Sequence, residues 1–380
     1  MEILSEHYLD NSATTKVCPE AAQAALTAMT EVYGNPSSTH TKGREAKKLL
    51  DASRRQVADA LGCSPEELVF TSCGSESDNW AIIYGAEAMK RKGCHVISSA
   101  VEHDAVRKSL EELERRGFEV TRLMPDATGA IPVEAVRAAL RPDTVLVSLM
   151  MVNNETGAVT DIHAISQMMK KEGSSALLHT DAVQAFLKIP FKAKTLGADL
   201  ISISGHKVHA PKGIGALYIR SGLKLKSFIV GGSQENGRRA GTEALPQIAA
   251  FGAACALASA GLSANIAHMQ HIKDLTCEKL LAEIPEAVIT QTAAPHILSI
   301  SMPGWRSEVI MNLLESKGIY VSKSSACKKG GRSHVLEAIG MPASVIDGAI
   351  RIGFSRYTTE EDVLALISGL AEARRTISHR

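Results

Sequence analysis

The sequence predicts an α/β fold: a mainly parallel seven-stranded sheet with helices on both faces, followed by a smaller α+β domain. Between about residues 65 and 220, short apolar runs alternate with segments of helical length that carry apolar residues at helical spacing. Short apolar strands separated by helices require right-handed crossovers, which produce a buried parallel sheet. Beyond about residue 256 this alternation gives way to longer helical segments and isolated strands, which indicates a second domain.

The strand candidates are seven short apolar runs that together predict the sheet. They are Leu68–Thr71, His95–Ser98, Phe118–Thr121, Thr144–Met150, Ala176–Thr180, Asp199–Ile203 and Gly215–Ile219. The helix candidates before and between the strands carry apolar residues on one face. They are Pro19–Met29, Gly43–Leu61, Trp80–Arg91, Asp104–Arg116 and Ile162–Lys171.

The region after the sheet mixes further helix and strand candidates. They are the alanine-rich helix Ile248–Ala260, the strand His296–Ser301, the helix Ser307–Lys317 and the strand Tyr320–Val321. Thr359 and Asp362 offer the last helix a capping box. We therefore expect a large domain at residues 13–255 and a smaller domain at residues 256–380, which residues 1–12 join.

The composition is that of an ordinary globular protein, and it excludes several classes of function. The chain has 380 residues, of which 45% are hydrophobic and 22% charged, with a formal net charge of +1. This balance gives no electrostatic reason to expect a nucleic acid or a membrane surface as partner. Residues Met1–His7 lack the pattern of a signal peptide, and no apolar run approaches the ~18 residues of a membrane span.

The cysteines indicate a reducing compartment. Seven of them are scattered along the chain, and none forms a Cys-x-x-Cys pair. An odd, scattered set favours neither a disulfide framework nor a structural zinc site. We therefore expect a cytoplasmic protein.

A lysine follows the strand candidate Asp199–Ile203 closely, in the segment Ser204-Gly-His-Lys207. Strand ends are rigid positions for a reactive group, and open α/β sheets bind ligands at the carboxyl ends of their strands. Alone, Lys207 is consistent with a solvated loop lysine, the commoner case. It is also consistent with a lysine that forms a Schiff base with an aldehyde cofactor, with Ser204 and His206 as phosphate ligands.

Other polar stretches follow other strand candidates. The small-residue turn Thr71–Asn79 precedes a helix, where backbone N–H groups favour an anion. His103 is consistent with either a structural or a catalytic role. Asp181 ends a strand, where it is either a helix N-cap or the carboxylate partner of a buried cation such as a protonated pyridine. The segment Met150–Gly157 adds amide groups that could hydrogen-bond a phenolic oxygen.

A phosphate turn, a ring-stacking histidine, an aspartate for a ring nitrogen and a lysine for an aldehyde are together the parts of a pyridoxal phosphate site. With these residues the chain resembles the cysteine desulfurases, within the fold-type I, class V aminotransferase-like group of pyridoxal phosphate enzymes. The resemblance covers nearly the whole chain and depends on eight motifs in order. They are Leu9–Thr15, Gly34–Ser38, Phe70–Ser77, Asn153–Glu155, Asp181-x-x-Gln184, Ser204–Lys207, Gly237–Thr242 and Ser325–Cys327.

The resemblance implies a role for each matching residue. Lys207 would hold the cofactor aldehyde and later move the Cα proton. His103 would stack on the ring, and Asp181 would keep the ring nitrogen protonated. The residues implied to contact the rest of the cofactor are Gln184 and Asn154 near the ring hydroxyl, and Gly74, Ser75, Ser204, His206 and, across a homodimer interface, Thr242 at the phosphate.

Binding of the substrate is implied to depend on Arg351, whose guanidinium can hold two carboxylate oxygens at once, with help from Asn35. The sulfur chemistry is implied to depend on Cys327. Nearby lysines and Arg332 should favour its thiolate, although they are also consistent with a solvated loop. We expect Cys327 to attack the sulfur of bound L-cysteine, leaving a persulfide and releasing L-alanine. The other six cysteines are expected to be small buried hydrophobes.

The family analogy extends to partners and alternatives. Persulfide sulfur would serve iron–sulfur cluster assembly or tRNA thiolation through a scaffold or sulfur-acceptor protein, with Cys327 as a candidate transient cluster ligand and no other metal site. The alternatives are a selenocysteine lyase or another β-elimination enzyme of this fold, and a sulfur-relay or scaffold protein with a vestigial cofactor site. The chain departs from the family pattern at Cys73, Ser75 and Ala210, and its segment Cys327–His334 is shorter than in many members.

Overall fold

The fold was analysed in a computed structural model, which describes residues 5–290, 292–323 and 331–377. Its strands are β1 (His7–Tyr8), β2 (Leu68–Thr71), β3 (His95–Ser99), β4 (Glu119–Leu123), β5 (Thr144–Ser148), β6 (Leu177–Asp181), β7 (Leu200–Ser204), β8 (Gly215–Ile219), β9 (Val288–Thr290), β10 (Ile297–Ser301), β11 (Ile319–Tyr320), β12 (Ser322–Lys323) and β13 (Ala349–Gly353). Its α-helices are α1 (Pro19–Thr30), α2 (Thr41–Leu61), α3 (Gly74–Asn79), α4 (Gly85–Met89), α5 (Asp104–Arg115), α6 (Val133–Ala139), α7 (Ile162–Lys171), α8 (Ala193–Leu196), α9 (Leu245–Ala260), α10 (Leu262–Glu283), α11 (Ser307–Glu315), α12 (His334–Ala338), α13 (Ala343–Asp347) and α14 (Glu360–Thr376).

The central sheet has seven strands in the order β2-β8-β7-β6-β5-β3-β4. Strands β7, β6, β5, β3 and β4 pair in parallel, whereas β8 runs antiparallel to both β7 and β2. All seven strand candidates form strands of this sheet, with several ends shifted by one or two residues. The predicted mainly parallel, seven-stranded sheet is therefore confirmed.

The sheet is buried on both faces, as the crossover connections require. Neighbouring residues of one strand point to opposite faces. Accordingly, Ile97 packs into one hydrophobic cluster with residues of α2, α7 and α9, while Val96 packs into another with residues of α5. Ile201 and Leu200 of β7 divide between the faces in the same way. Helices therefore cover both faces, as predicted.

One helix begins earlier than the sequence predicts. The segment expected to form a turn before a helix at Trp80–Arg91 is itself helical from Gly74, and α3 continues through a π-helical turn at Trp80–Tyr84 into α4. Cys73, in extended conformation, is its N-cap. The first turn of this helix therefore lies directly at the end of β2.

The C-terminal region has its own sheet and core. Strands β12, β13, β10 and β9 form an antiparallel sheet, and β1 pairs in parallel with β11. Its core cluster joins residues of these strands to α10, α11 and α14, and it includes Leu9 from the N-terminal segment. Thr359 and Asp362 form the predicted capping box of α14. A separate core supports the predicted small domain, whose boundaries stay a prediction.

A buried lysine ties α10 to a loop beside the larger sheet. Lys273, 3% exposed, donates hydrogen bonds from Nζ to the carbonyl oxygens of Thr292 (2.7 Å) and Ala294 (2.8 Å). Ala294 N in turn donates to the carbonyl oxygen of Gly157 at 3.0 Å. This chain of contacts connects α10 to the segment that follows β5.

Within the described ranges, no single helix is long and apolar enough to cross a membrane. Among the described helices, α9 and α10 reach the length and composition of a span only as a pair, and they meet at a bend of 77°. In the same ranges, no three His, Cys, Asp or Glu side chains cluster closely enough to hold a metal. The six cysteines described there are all free thiols.

Candidate active site

A cavity of about 350 Å³ opens at the carboxyl ends of the parallel strands. Its walls come from the segments after β2, β3, β5, β6 and β7, from the N-terminal segment and from β13. Elements distant in the chain meet here because parallel strands end at the same edge of a sheet. The cavity therefore lies where a ligand site was predicted.

Most of the predicted site residues line this cavity. They are Gly74, Ser75, His103, Asn154, Asp181, Gln184, Ser204, His206, Lys207 and Arg351. Two others do not line it: Asn35 and Thr242 are both exposed, and the Asn35 carboxamide oxygen accepts a hydrogen bond from Ser37 N at 2.9 Å. Cys327 lies outside the described residues.

Lys207 closes a short 3₁₀ turn, Gly205–Lys207, directly after β7. Its Nζ donates hydrogen bonds to the carbonyl oxygens of Ser12 and Ala13, each at 2.6 Å. Both acceptors belong to the N-terminal motif that the sequence singled out. The lysine is therefore held at the cavity wall by the backbone of the N-terminal segment rather than solvated in a loop.

The N-terminal segment is itself fixed against the strand ends. Thr15 Oγ1 donates to the carbonyl oxygen of His206 at 2.9 Å and accepts from His209 N at 2.8 Å. Gln184 Nε2 donates to the carbonyl oxygen of Ser12 at 2.8 Å, so one carbonyl serves both Gln184 and Lys207. These bonds fix the position of the Lys207 amine.

Asp181 occupies the last position of β6 and is 6% exposed. Its Oδ1 accepts a hydrogen bond from Val183 N at 2.9 Å within a turn, so Asp181 is not the helix N-cap that the sequence also allowed. Burial raises the pKa of Asp181, while His103, the Val183 N–H group and Lys207 oppose the rise. The structure thus gives Asp181 both a local contact and a cationic surrounding.

His103 likewise combines a structural contact with a place in the cavity wall. It is the N-cap of α5, and its Nδ1 accepts a hydrogen bond from Ala105 N at 3.1 Å. This bond makes Nδ1 an acceptor and so fixes the orientation of the ring. The two roles that the sequence left open for His103 are therefore compatible.

The start of α3 and the end of β7 meet at the cavity wall and form a cradle suited to an anion. A Cβ at Gly74 would lie 2.8 Å from Val183 Cγ2, so only glycine allows this close approach. Ser204 Oγ is buried and has no hydrogen-bond partner among the described residues. Burial and Lys207 lower the pKa of His206 to about 4, so its imidazole is neutral. Cys73 also lines the cavity and is only half-buried, unlike the buried cysteine expected there.

Arg351, on β13, is 3% exposed and also lines the cavity. Its Nη1 donates to the carbonyl oxygen of Asn154 at 2.9 Å, and its Nη2 lies 3.3 Å from Asp10 Oδ1. Its Nε is buried without a hydrogen-bond partner in the described ranges. The guanidinium is thus held through both Nη atoms while the Nε–H group stays available as a donor, an arrangement suited to a carboxylate ligand.

Sequence reasoning missed four carboxyl groups of the wall: Asp78, Glu102, Asp104 and Glu155. Burial raises the pKa of Glu102 to about 8, although Ser99 Oγ (2.5 Å) and Met150 N (3.1 Å) donate to its carboxyl group. Asp78 and Glu155 lie in stretches that were quoted for other residues, and Glu102 and Asp104 flank His103. The available signal for Glu102 and Asp104 was their place beside a candidate histidine, whereas the sequence around Asp78 does not mark it as buried.

The residues present fit pyridoxal phosphate. Ser204 Oγ and Gln184 Oε1 have no partner within the described part of the chain, and with the close approach at Gly74 they suit a polar ligand that supplies the missing bonds. The lysine, the aspartate and the histidine provide the chemistry that the aldehyde, the ring nitrogen and the ring require. The fold and the site thus define a pyridoxal phosphate enzyme of fold-type I.

Comparison with known proteins gives the family. A family model described as "Aminotransferase class-V" matches residues 7–366. A cysteine desulfurase of Trichormus azollae is 42% identical over 374 residues, which cover 97% of this chain and 93% of the relative. A solved "NifS-like protein" superposes with a TM-score of 0.93 at 36% identity, covering 98% of this chain and all of the neighbour. A structure titled "SspA in complex with cysteine" superposes with a TM-score of 0.81 at 32% identity, covering 93% and 100%.

The chain belongs to the class-V aminotransferases and, among them, to the cysteine desulfurase family. Its cofactor is pyridoxal phosphate, as in the family as a whole. The resemblance drawn from the eight motifs is confirmed.

Proposed function

We propose that this enzyme transfers the sulfur of L-cysteine to Cys327 and releases L-alanine. The observation that carries the proposal is the convergence of Lys207, Asp181 and His103 on one cavity, which Arg351 also lines. The relatives named cysteine desulfurase, and the neighbour solved with cysteine, support the choice of substrate.

The cofactor is proposed to bind with its phosphate at Gly74, Ser75, Ser204 and His206. Because the imidazole of His206 is neutral, it can donate one hydrogen bond to the phosphate without adding a charge. Asn154 and Gln184 are proposed to lie near the ring hydroxyl. When bound, the cofactor supplies an electron sink that weakens the bonds around Cα and Cβ of the substrate.

The substrate is proposed to bind through its carboxylate to Arg351. The Asn154 carbonyl and Asp10 hold the guanidinium in place before the substrate arrives, which lowers the cost of ordering it. Lys207 is proposed to take the proton from Cα. Its Nζ is fixed by the carbonyl oxygens of Ser12 and Ala13 at the cavity wall.

Cys327 is proposed to attack the substrate sulfur as a thiolate. The S–S bond forms as the Cβ–Sγ bond breaks, so L-cysteine and one thiol yield L-alanine and one persulfide. The residues flanking the cysteine support this assignment. Ser322 pairs with Arg351 in the small sheet, and the Ser333 hydroxyl donates a hydrogen bond to Glu155, which lines the cavity.

The active enzyme is proposed to be a homodimer in which Thr242 completes the phosphate site of the other subunit. Thr242 is exposed and does not line the cavity of its own chain. On the same loop, Val230 is 85% exposed, an unusual position for an apolar side chain that stays in water. Mixing a Lys207→Ala protein with a Thr242→Ala protein should restore activity through mixed dimers.

The remaining expectations are proposals that depend on the family analogy. They are a large domain at residues 13–255 and a small one at 256–380, a cytoplasmic setting, and delivery of sulfur to a scaffold or acceptor protein for iron–sulfur cluster assembly or tRNA thiolation. Asn35 is proposed to assist Arg351, and Cys327 to be a transient ligand of a cluster.

Incubation with L-cysteine tests the activity. We expect stoichiometric L-alanine and sulfide in the presence of a thiol, and a persulfide trapped on Cys327. A Cys327→Ser protein that releases sulfide at the normal rate would contradict the proposal. A strong preference for selenocysteine would favour the lyase alternative. Lys207→Ala should abolish the visible absorbance of the bound cofactor, and an enzyme without that absorbance would favour the vestigial site.

A further inference from the structure

A row of buried polar side chains crosses the parallel sheet and ends at the cavity. Ser148 Oγ on β5 lies 2.9 Å from Nδ1 of His179 on β6, and Nε2 of His179 lies 3.0 Å from Ser202 Oγ on β7. Oδ1 of Asp78, on α3, lies 3.7 Å from the same Nε2. Burial lowers the pKa of His179 to about 3, so the imidazole is neutral and offers Asp78 no positive charge.

Asp78 shares the cavity wall with Asp181 and Glu102, two other buried carboxyl groups. It is 1% exposed, and its Oδ1 has no hydrogen-bond partner in the part of the chain that the structure describes. A carboxylate in such a place would lack both water and a counter-charge. Burial raises the pKa of Asp78 well above its usual value; Asp181, Glu102 and Cys73 raise it further, and Ser202 opposes the rise.

Asp181 differs from Asp78 in its surroundings. The Val183 N–H group donates to its Oδ1 at 2.9 Å, and His103 and Lys207 both favour its ionised form. Two neighbouring buried carboxyl groups do not both ionise readily, so the group with donors and cations around it takes the charge. The other group keeps its proton.

We propose that Asp78 is a positioning residue for Asp181: as a neutral carboxyl group beside the His179–Ser202 row, it leaves Asp181 as the anion that faces a protonated ring nitrogen. The inference rests on the proposed function, because the ring nitrogen belongs to pyridoxal phosphate. If Asp78 ionised instead, Asp181 would retain the proton and the ring nitrogen would lose its negative partner. Asp78 therefore acts on the reaction through Asp181.

Infrared difference spectra of the holoenzyme test the protonation of Asp78 directly. The spectrum of each variant is subtracted from that of the wild type at neutral pH. We expect the carbonyl stretch of the protonated Asp78 carboxyl group to be missing in Asp78→Asn and present in Glu102→Gln. His179→Gln should shift the frequency of this stretch, because it alters the polar row beside Asp78. A spectrum unchanged by Asp78→Asn would overturn the proposal. This readout needs no turnover, so it stays informative even if the enzyme released no L-alanine and the proposed function failed.

The pH profile tests the action on Asp181. Asp78→Asn imitates the neutral acid and cannot ionise, so kcat at neutral pH should stay within about threefold of the wild type. In the wild type, kcat/KM and the cofactor absorbance should fall at alkaline pH. In Asp78→Asn the pH of this fall should be higher by about one unit, or the fall should disappear, because the amide cannot ionise. A merely structural role would change the rate alike at every pH. Identical alkaline limbs, or a loss of activity as large as that of Asp181→Asn, would overturn the proposal.

Discussion

Ser322 lies directly opposite Arg351 in the antiparallel pair of β12 and β13, and both side chains contact one carboxylate. Ser322 Oγ donates to Asp10 Oδ1 at 2.6 Å, and Arg351 Nη2 lies 3.3 Å from the same oxygen. Asp10 therefore couples the strand that precedes the segment of Cys327 to the proposed carboxylate site.

Arg351→Lys should raise KM for L-cysteine by roughly 10- to 100-fold and change kcat less, because an ammonium cannot bind two carboxylate oxygens in the fork geometry of a guanidinium. Steady-state kinetics with L-cysteine measure this. The cofactor absorbance serves as the control and should not change. An unchanged KM would place the carboxylate elsewhere.

Gly74→Ala should weaken cofactor binding by roughly tenfold, because the new Cβ would lie 2.8 Å from Val183 Cγ2 and displace the anion cradle. Titration of the cofactor-free protein with pyridoxal phosphate measures the effect. Glu87→Gln, on α4 and away from the cavity, alters only a surface ion pair with Arg116; it is the control and should bind normally. Equal affinities for all three proteins would argue against phosphate binding at Gly74.

Glu155→Gln should change the pH dependence of stability. Burial raises the pKa of Glu155 to about 7, so the folded state holds this proton more tightly than the unfolded state. Stability contributed by the group is present at low pH and lost as pH rises from the unfolded pKa through about 7; the loss is about 3 kcal/mol at most.

Thermal unfolding of the cofactor-free protein measures this difference. Between pH 5 and pH 8.5, the wild type should lose more stability than Glu155→Gln. Glu134→Gln removes an exposed carboxylate and is the matched control. Parallel curves for the wild type and Glu155→Gln would contradict the prediction.

Lys273→Met should lower the free energy of unfolding by about 2 to 4 kcal/mol, because it leaves the carbonyl oxygens of Thr292 and Ala294 buried without their donor. Denaturant unfolding checks it. The exposed Lys279 lies on the same helix, and Lys279→Met should change stability by less than about 0.5 kcal/mol. Equal effects of the two substitutions would show that the buried contacts of Lys273 contribute little.

The central sheet could be predicted because strands buried on both faces have continuous apolar sequences, such as Thr144–Ser148. The start of α3 could not be predicted. Glycine, serine, aspartate and asparagine are poor helix formers, and the first turn of α3 is stabilised by contacts such as Ser77 Oγ with Thr71 Oγ1 at 2.8 Å. Local propensity was overridden there by contacts with the preceding strand.

In the site, too, some residues could be predicted from the sequence and others could not. Lys207 and Asp181 could be predicted because each follows an apolar strand closely. The order of the eight motifs then identified the other site residues by resemblance to the family. Strand β13 was not predicted, since Arg351 interrupts a short apolar run and its partner Asp10 is 341 residues away. Asp78 was overlooked because its burial depends on neighbours from β6 and β7, which its own sequence does not reveal.

The hydrogen bonds from Lys207 to Ser12 and Ala13 span 195 and 194 residues of sequence. Asn11 also donates to the carbonyl oxygen of Gly353, 342 residues away. During synthesis the segment around Asn11 can therefore complete its contacts only after residue 353 has been made. A chain that stops short of residue 353 lacks one of the bonds that hold the segment in contact with the Lys207 amine. Pulling this segment away from the strand ends would remove both acceptors of the Lys207 amine while leaving the sequence of the cavity unchanged.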